Sequence, residues 1–207
     1  WGAATEVSMG KDTPSGHWEL AGVPVPWDWH TFPKTEPSFP DDITALICKL
    51  AGTEGILANR HASGTKVIED EGAAHIETGW PICYTSVDSV LQIAAHEETF
   101  GLDRLLQLCK DLAPTLHEMK LGRVIARPFL GNAVDGFART ENRKDFAIAP
   151  PSETICDVVH AAGHPVHAIG KIGDIFSMRG IDDVRKGRDV ALMEHLFDHV
   201  DEANDGA

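Results

Sequence analysis

The stretch KVIEDEGAAHIETGWPICYT (66–85) carries a helix, its stop and a strand in direct succession. Ser63-Gly64-Thr65 leads in, Lys66 to Thr78 reads as helical, and Gly79 is placed to end the helix. Ile82-Cys83-Tyr84-Thr85 follows, rich in strand formers and free of charge, and reads as a buried strand. A buried strand needs neighbours to pair with and a helical layer to cover it.

The same alternation extends both ways. Upstream, Pro40-Asp41-Asp42 opens a helix whose Ile43, Leu46, Ile47 and Leu50 follow the i, i+3, i+4, i+7 spacing, with Gly52 as its stop. Gly55-Ile56-Leu57-Ala58 reads as a short strand. Downstream, Leu102 to Leu112 is an amphipathic helix and Val124-Ile125-Ala126 a buried strand. Thr154 to Ala162 reads as helix and Val166 to Ile169 as strand. A last helix, Val190 to Val200, places Met193, Leu196, Phe197 and Val200 on one face. The expected fold is α+β: a small mixed β-sheet covered by helices. The stretch from Leu130 to Pro151 is expected as a long loop.

Residues 1–40 break the pattern. Pro14, Pro24, Pro26, Pro33, Pro37 and Pro40 exclude long helices there, and Trp1, Trp18, Trp27 and Trp29 need a surface outside the segment to pack against.

Composition narrows the function. With 207 residues the chain can bury roughly 70% of its unfolded surface. A net charge of −14 argues against nucleic acid or an anionic membrane as the partner, since the long-range field repels both. Apolar residues at 43% and charged ones at 24% exclude wholesale disorder. No apolar run approaches the roughly 20 residues of a spanning helix, and no leader pattern is visible, so a soluble, cytoplasmic protein is expected. The chain begins at Trp1 and its first methionine is Met9, so a fragment or processed product is expected. Cys48, Cys83, Cys109 and Cys156 are widely spaced and each follows Ile or Leu, the pattern of buried free thiols.

No glycine-rich dinucleotide fingerprint, Walker loop or G-x-S-x-G elbow is present. The weaker constellations each have a plain alternative. Between residues 122 and 144, Arg123, Arg127, Arg139, Arg143 and Lys144 stand against Asp135 and Glu141, a basic island in an acidic chain. Such an island suits an anionic small ligand or a set of surface ion pairs. Lys171 follows a strand, where ligand sites of α/β sheets gather, or is a solvated turn lysine. Ser86, Asp88 and Ser89 suit hydrogen bonds to sugar hydroxyls or a capped turn. Ser63-Gly64-Thr65 offers backbone amides to an anion or merely caps a helix. His195 and His199, one turn apart with Asp198 and Asp201 beside them, suit a metal ion or the solvated face of the last helix. Spacing alone does not single out Thr13.

Taken together, KDTPSGHWELAGVPV (11–25), ASGT (62–65), TGWPICYTSVDSVLQIAAHEETFGLD (78–103), GRVIARPF (122–129), RTENR (139–143) and AIGKIGDIF (168–176) resemble the phosphopentomutases of the alkaline phosphatase superfamily. The resemblance implies an isomerase of nucleoside catabolism that interconverts (deoxy)ribose 1-phosphate and 5-phosphate. It further implies a phosphothreonine, a bisphosphorylated sugar intermediate and two Mn²⁺ ions. Thr13 resembles the phosphorylated threonine, and Ser86, Asp88, Arg123, Ile125, Arg139 and Lys171 resemble positions around the pentose phosphate.

The resemblance partitions the chain into a core-domain segment carrying Thr13 (1–40), a cap or substrate domain (41–187) and a helix returning toward the core (188–207). The family's metal ligands include an Asp near the N-terminus and an Asp-His-Gly motif, and this sequence contains no Asp-His-Gly. His17 and His96 do not replace them. Metal ligands are therefore expected outside this chain, on a missing core domain, with the chain alone inactive. Each lost electrostatic donor costs roughly 10²–10³ in rate. Ala58 stands where the family usually has Gly, and Lys144 where it usually has His; both are expected to be tolerated. A second reading of the same residues is a non-catalytic sugar-phosphate-binding or interaction module derived from the cap, motivated by Trp18, Trp27 and Trp29.

Overall fold

The structure, a computed structural model, describes residues 1–10 and 12–202; Lys11 and the end of the expected segment 188–207 lie outside the described residues. Contacts divide the chain into two units. One comprises Trp1–Asp28 with Ala147–Ala207, the other Trp29–Phe146. These boundaries follow contact, whereas the partition at 40 and 187 followed the domains of a longer protein.

The first unit opens with α1 (Thr13–Leu20), a short helix with Pro14 in its first turn, where a missing N–H costs nothing. Glu19 anchors it, accepting from the Val7 and Ser8 amides at 2.6 and 2.9 Å and from the Ser8 hydroxyl. The Ser8 hydrogen bond, followed by the Val7 amide, holds the Glu19 carboxyl below its usual range.

The second unit is built on a six-stranded mixed sheet. Helix α2 (Asp41–Ala51) precedes β1 (Leu57–His61), and α3 (Gly64–Thr78) precedes β2 (Ile82–Thr85). Strand β3 (Val90–His96) runs into a π-helical turn at Glu97–Gly101 and then α4 (Leu102–Glu118). Strands β4 (Arg123–Asn132), β5 (Gly136–Arg139) and β6 (Lys144–Ala147) complete the sheet. The order is β1-β2-β3-β4-β5, with β6 also paired to β4. The β1–β2 and β3–β4 pairs are parallel, while β2–β3 and β4–β5 are antiparallel.

Alternation along the strands sorts the two faces. Cys83, Leu91, Ile93, Ala95, Val124 and Ala126 pack with Ile43 and Ile47 of α2 and Leu105, Leu108, Leu112 and Leu116 of α4. Ile82, Tyr84, Ala94 and Phe129 pack with Val67 and Ile68 of α3. A mixed sheet between helical layers results, the α+β arrangement the sequence indicated.

The first unit resumes with α5 (Ile155–Ala161), β7 (His167–Ile169), α6 (Ile172–Ile175), β8 (Asp183–Arg185) and α7 (Asp189–Glu202). A capping box opens α5, with the Thr154 amide donating to Asp157 Oδ2 at 2.7 Å. Strands β7 and β8 form a separate parallel pair. The apolar face expected on α7 is present but exposed at Met193, Leu196, Phe197 and Val200. No helix among the described residues is long and apolar enough to cross a membrane.

Several expectations need correction. The strand placed at 55–58 runs instead from Leu57 to His61, because Ala58 (φ 69°) and Asn59 (φ 49°) form a bulge and pairing continues beyond it. The long loop at 130–151 contains the β4–β5 hairpin and β6. The tryptophans of residues 1–40 divide between the units: Trp18 is fully buried in the first, whereas Trp29 belongs to the second. Of the thiols, all free, Cys83 and Cys109 are buried and Cys48 and Cys156 only half-buried. Burial pushes the Cys83 and Cys109 thiols up.

Candidate functional site

The basic island is assembled on β4 and the hairpin it forms with β5. Arg123, Ile125, Arg127 and Phe129 alternate with Val124 and Ala126, so they share the α3 side of the sheet. At one end Arg123 is 5% exposed and faces two carboxylates, Asp145 at 3.5 Å and Asp88 at 3.8 Å. Asp145, 6% exposed, is held more tightly by Arg143: Nε donates to Oδ1 at 2.8 Å and Nη2 to Oδ2 at 2.9 Å. This is the forked geometry that suits guanidinium and carboxylate.

Farther along β4, Arg127 donates from Nη2 to Gln92 Oε1 at 2.8 Å, and Tyr84 OH donates to the same oxygen at 3.2 Å. Burial lowers the proton affinity of Arg127 first, and the positive charges of Arg143 and Arg139 lower it further. Burial likewise raises the Tyr84 hydroxyl, against the pull of Arg127. The first turn of α3 closes over this group: a Cβ on Gly64 would stand 2.7 Å from Tyr84 OH and 3.3 Å from Arg127. A side chain there would collide, so glycine lets the helix start approach the phenol and guanidinium.

The RTENR segment is fixed from beneath. Thr140 donates to Glu97 Oε1, Asn142 Nδ2 donates to the same oxygen at 2.9 Å, and Arg143 grips Asp145. Arg139 itself stays exposed, with no ion pair among the described residues. Its charge acts on both Arg127 and Tyr84. The guanidinium groups of Arg123, Arg143, Arg127 and Arg139 therefore form a continuous electrostatic set with Asp145 embedded in it. Such a set can bind a phosphate or carboxylate at its open, Arg139 end.

Of the residues singled out in this unit, Asp88 and Arg123 meet directly, Ile125 is buried beside Arg123 on β4, and Ser86 is half-buried in the turn after β2. Ser89 takes a purely structural part, donating to the His30 carbonyl at 2.5 Å and accepting from the Gly122 amide at 2.8 Å. Tyr84, Gln92 and Asp145 were not singled out. Asp145 lies one residue beyond the basic island of residues 122–144.

Thr13 and Lys171 belong to the other unit. Thr13 is the first residue of α1, half-buried, and its carbonyl meets His17 Nδ1 at 2.7 Å. Lys171 is exposed at the end of β7 and caps α6, whose Ile175 amide donates to the Lys171 carbonyl at 3.1 Å. The two helices are joined by Trp18, whose Nε1 donates to the Ile175 carbonyl at 3.0 Å.

No family model matches the chain. Curated proteins do. The chain is 54% identical over its full length to a phosphopentomutase of Allorhizobium ampelinum and 51% identical to one of Rhizobium meliloti. It is 55% identical over 90% of its length to one of Pseudoalteromonas translucida. It covers 51%, 51% and 46% of those proteins, so the chain spans about half the length of the curated relatives it matches. Over the half of those proteins that it spans, the chain belongs to the phosphopentomutase family.

Proposed function

We propose that a full-length protein carrying this chain interconverts (deoxy)ribose 1-phosphate and (deoxy)ribose 5-phosphate. The observation that carries this reading is the 51–55% identity to phosphopentomutases, which extends over the whole chain rather than over one motif.

Within that reading Thr13 Oγ1 carries the phosphoryl group. The phosphothreonine donates it to the free hydroxyl of the pentose phosphate, giving a bisphosphate. The other phosphoryl group then returns to Thr13 as the product leaves. A phosphate on Thr13 would stand in the first turn of α1, where the helix dipole favours negative charge. The guanidinium set of the second unit, open at Arg139, recognises the sugar's phosphate. Ser86 and Asp88 bind its hydroxyls, Ile125 packs against it, and Lys171 adds a further cation.

The two Mn²⁺ ions implied by the resemblance do not fit the donors present. Among the described residues one group of three metal-capable side chains converges, with two imidazoles and a single carboxylate. Three donors of that kind do not bridge two hard ions, which favour carboxylate-rich sites. In this reading the manganese ligands lie outside the chain, and the chain alone is inactive.

The test uses a full-length protein containing this chain, incubated with ribose 1-phosphate while 5-phosphate is measured. Thr13→Ala should abolish turnover and the phosphate-bearing form seen by intact-mass spectrometry. Undiminished turnover by Thr13→Ala would remove the threonine from the mechanism. Absence of any isomerisation in the unsubstituted protein, charged with Mn²⁺, would remove the activity.

A further inference from the structure

His167, Asp183 and His199 come from three separate elements and meet in one place. Strands β7 and β8 are parallel partners in the register His167↔Asp183, so these side chains stand directly across from each other, and His167 Nδ1 contacts Asp183 Oδ1. Helix α7 brings His199 onto them, its ring stacked on that of His167 with centroids 4.6 Å apart and planes 25° apart. One donor atom from each residue lies within 4.8 Å of the other two. His199 Nε2 is shut off from solvent and has no hydrogen-bond partner among the described residues. A buried imidazole nitrogen without a partner is costly, and here it sits in a group that already holds a second imidazole and a carboxylate.

We propose that His167, Asp183 and His199 form a binding site for a single late first-row divalent cation of the zinc class. The donor set decides the class: two imidazoles with one carboxylate suit Zn²⁺, Co²⁺, Ni²⁺ or Fe²⁺ ahead of Mn²⁺ or Mg²⁺. Metal–ligand bonds of about 2.1 Å place the donors of a tetrahedral ion about 3.4 Å apart. Around one ion the widest pair of the group closes by up to about 1.4 Å while the His167–Asp183 contact opens to the same spacing, both within the reach of side-chain rotation. His167 and Asp183 side chains are each 42% exposed, so an ion has a path in and a water can fill the fourth position.

The site would also do something for the fold. Helix α7 buries none of its residues, and its apolar face stays open. Its ion pairs to β8 are long, Arg185 to Asp198 at 3.9 Å and Arg185 to Glu202 at 4.0 Å, and partly exposed. An ion held by β7, β8 and α7 together would fasten the helix to the strand pair. His195, one turn earlier, is not among the three converging residues. The pairing of His195 with His199 that the spacing suggested is thus replaced by a partnership of His199 with the strands. This inference does not depend on the isomerase reading.

The experiment is zinc titration of the purified chain by calorimetry, with its thermal midpoint followed in Zn²⁺ and in chelator. Co²⁺ serves as a spectroscopic probe and Mn²⁺ as a comparison. The chain should bind one equivalent of Zn²⁺ that His199→Ala and Asp183→Asn lose, each weakening that binding about 10-fold or more. His195→Ala should retain it within about twofold, and Mn²⁺ should bind more weakly than Zn²⁺. Zn²⁺ should raise the melting temperature of the chain and of His195→Ala, but not of His199→Ala. If His199→Ala does not fold, Asp183→Asn decides. Equal zinc binding by the chain and the deciding variant, or no saturable binding by the chain, overturns the site.

Discussion

Trp18 and Ile175 lie 157 positions apart in sequence and are joined by a 3.0 Å hydrogen bond from the indole Nε1 to the Ile175 carbonyl. The indole is fully buried, and the bond ties the helix begun by Thr13 to the helix capped by Lys171. Trp18→Ala should destabilise the unit by about 3–5 kcal/mol through the cavity it leaves. Trp18→Phe keeps most of the volume but strips the carbonyl of its donor, and should cost about 1–3 kcal/mol. Denaturant unfolding of the two variants separates packing from hydrogen bonding. A Trp18→Phe variant as stable as the unsubstituted chain would mean the hydrogen bond contributes nothing.

Asp145 is the counter-charge of the guanidinium set, since Arg143 binds both its oxygens and Arg123 lies beside it. Asp145→Asn keeps the shape and removes the charge, leaving the buried Arg123 poorly compensated. Breaking a buried pair from one side costs about 3 kcal/mol. Inorganic phosphate should recover more of that loss in the variant than it adds to the unsubstituted chain. Phosphate-dependent melting of both proteins checks this; identical phosphate responses would show that no anion takes the place of the Asp145 charge.

Much of this architecture can be read from short local patterns, and the parts that cannot share a physical cause. Strand β2 and helix α4 announce themselves because one run is uniformly apolar and the other is periodic. Strand β3 does not: Gln92 and His96 interrupt it, Ala94 and Ala95 are weak strand formers, and burial on both faces erases alternation. The β5 and β6 strands hide in a segment dominated by Gly, Asn and charge. At the site, sequence locates the arginines but not their partners. Asp145 reaches Arg123 only because β6 lies against β4, and Gln92 reaches Arg127 only because β3 pairs with it. Cross-strand neighbours carry no fixed sequence spacing. Thr13 carries no local signal at all, and its role rests on family resemblance.

His75 gives the second unit a pH dependence of known sign. It is fully buried, its Nδ1 meets the Trp80 carbonyl at 2.6 Å, and its Nε2 accepts from the His96 amide at 2.9 Å. An accepting Nε2 requires the neutral ring. Burial, then the charges of His96 and Arg104, lower its pKa below the usual 6.5, while the Trp80 hydrogen bond opposes them. His117 is lowered by burial as well. The unfolded chain binds these protons more readily, so the stability is present in full above pH 6.5 and is lost as pH falls through the folded values. Unfolding free energy measured between pH 7.5 and 5.5 should fall, and should fall less steeply in His75→Gln. A profile that is flat, or unchanged in the variant, would count against a neutral His75.

The backbone at Ala58 carries a physical cost. The bulge in β1 holds it at φ 69°, the left-handed region that costs a residue with a Cβ about 1–2 kcal/mol. Ala58→Gly relieves that strain. Against it stand the loss of a partly buried methyl beside the α3-side core and the larger entropy of an unfolded glycine, together about 0.5–1 kcal/mol. The balance favours glycine, so Ala58→Gly should stabilise the unit by about 0.5 kcal/mol. The bulge also aims Asn59, whose Oδ1 accepts from the Ser38 and Phe39 amides at 3.1 and 2.7 Å, so a relaxed bulge should leave that clasp intact. Denaturant midpoints of the two proteins decide it: a clear destabilisation would mean that the Ala58 methyl, not the backbone strain, dominates at the bulge.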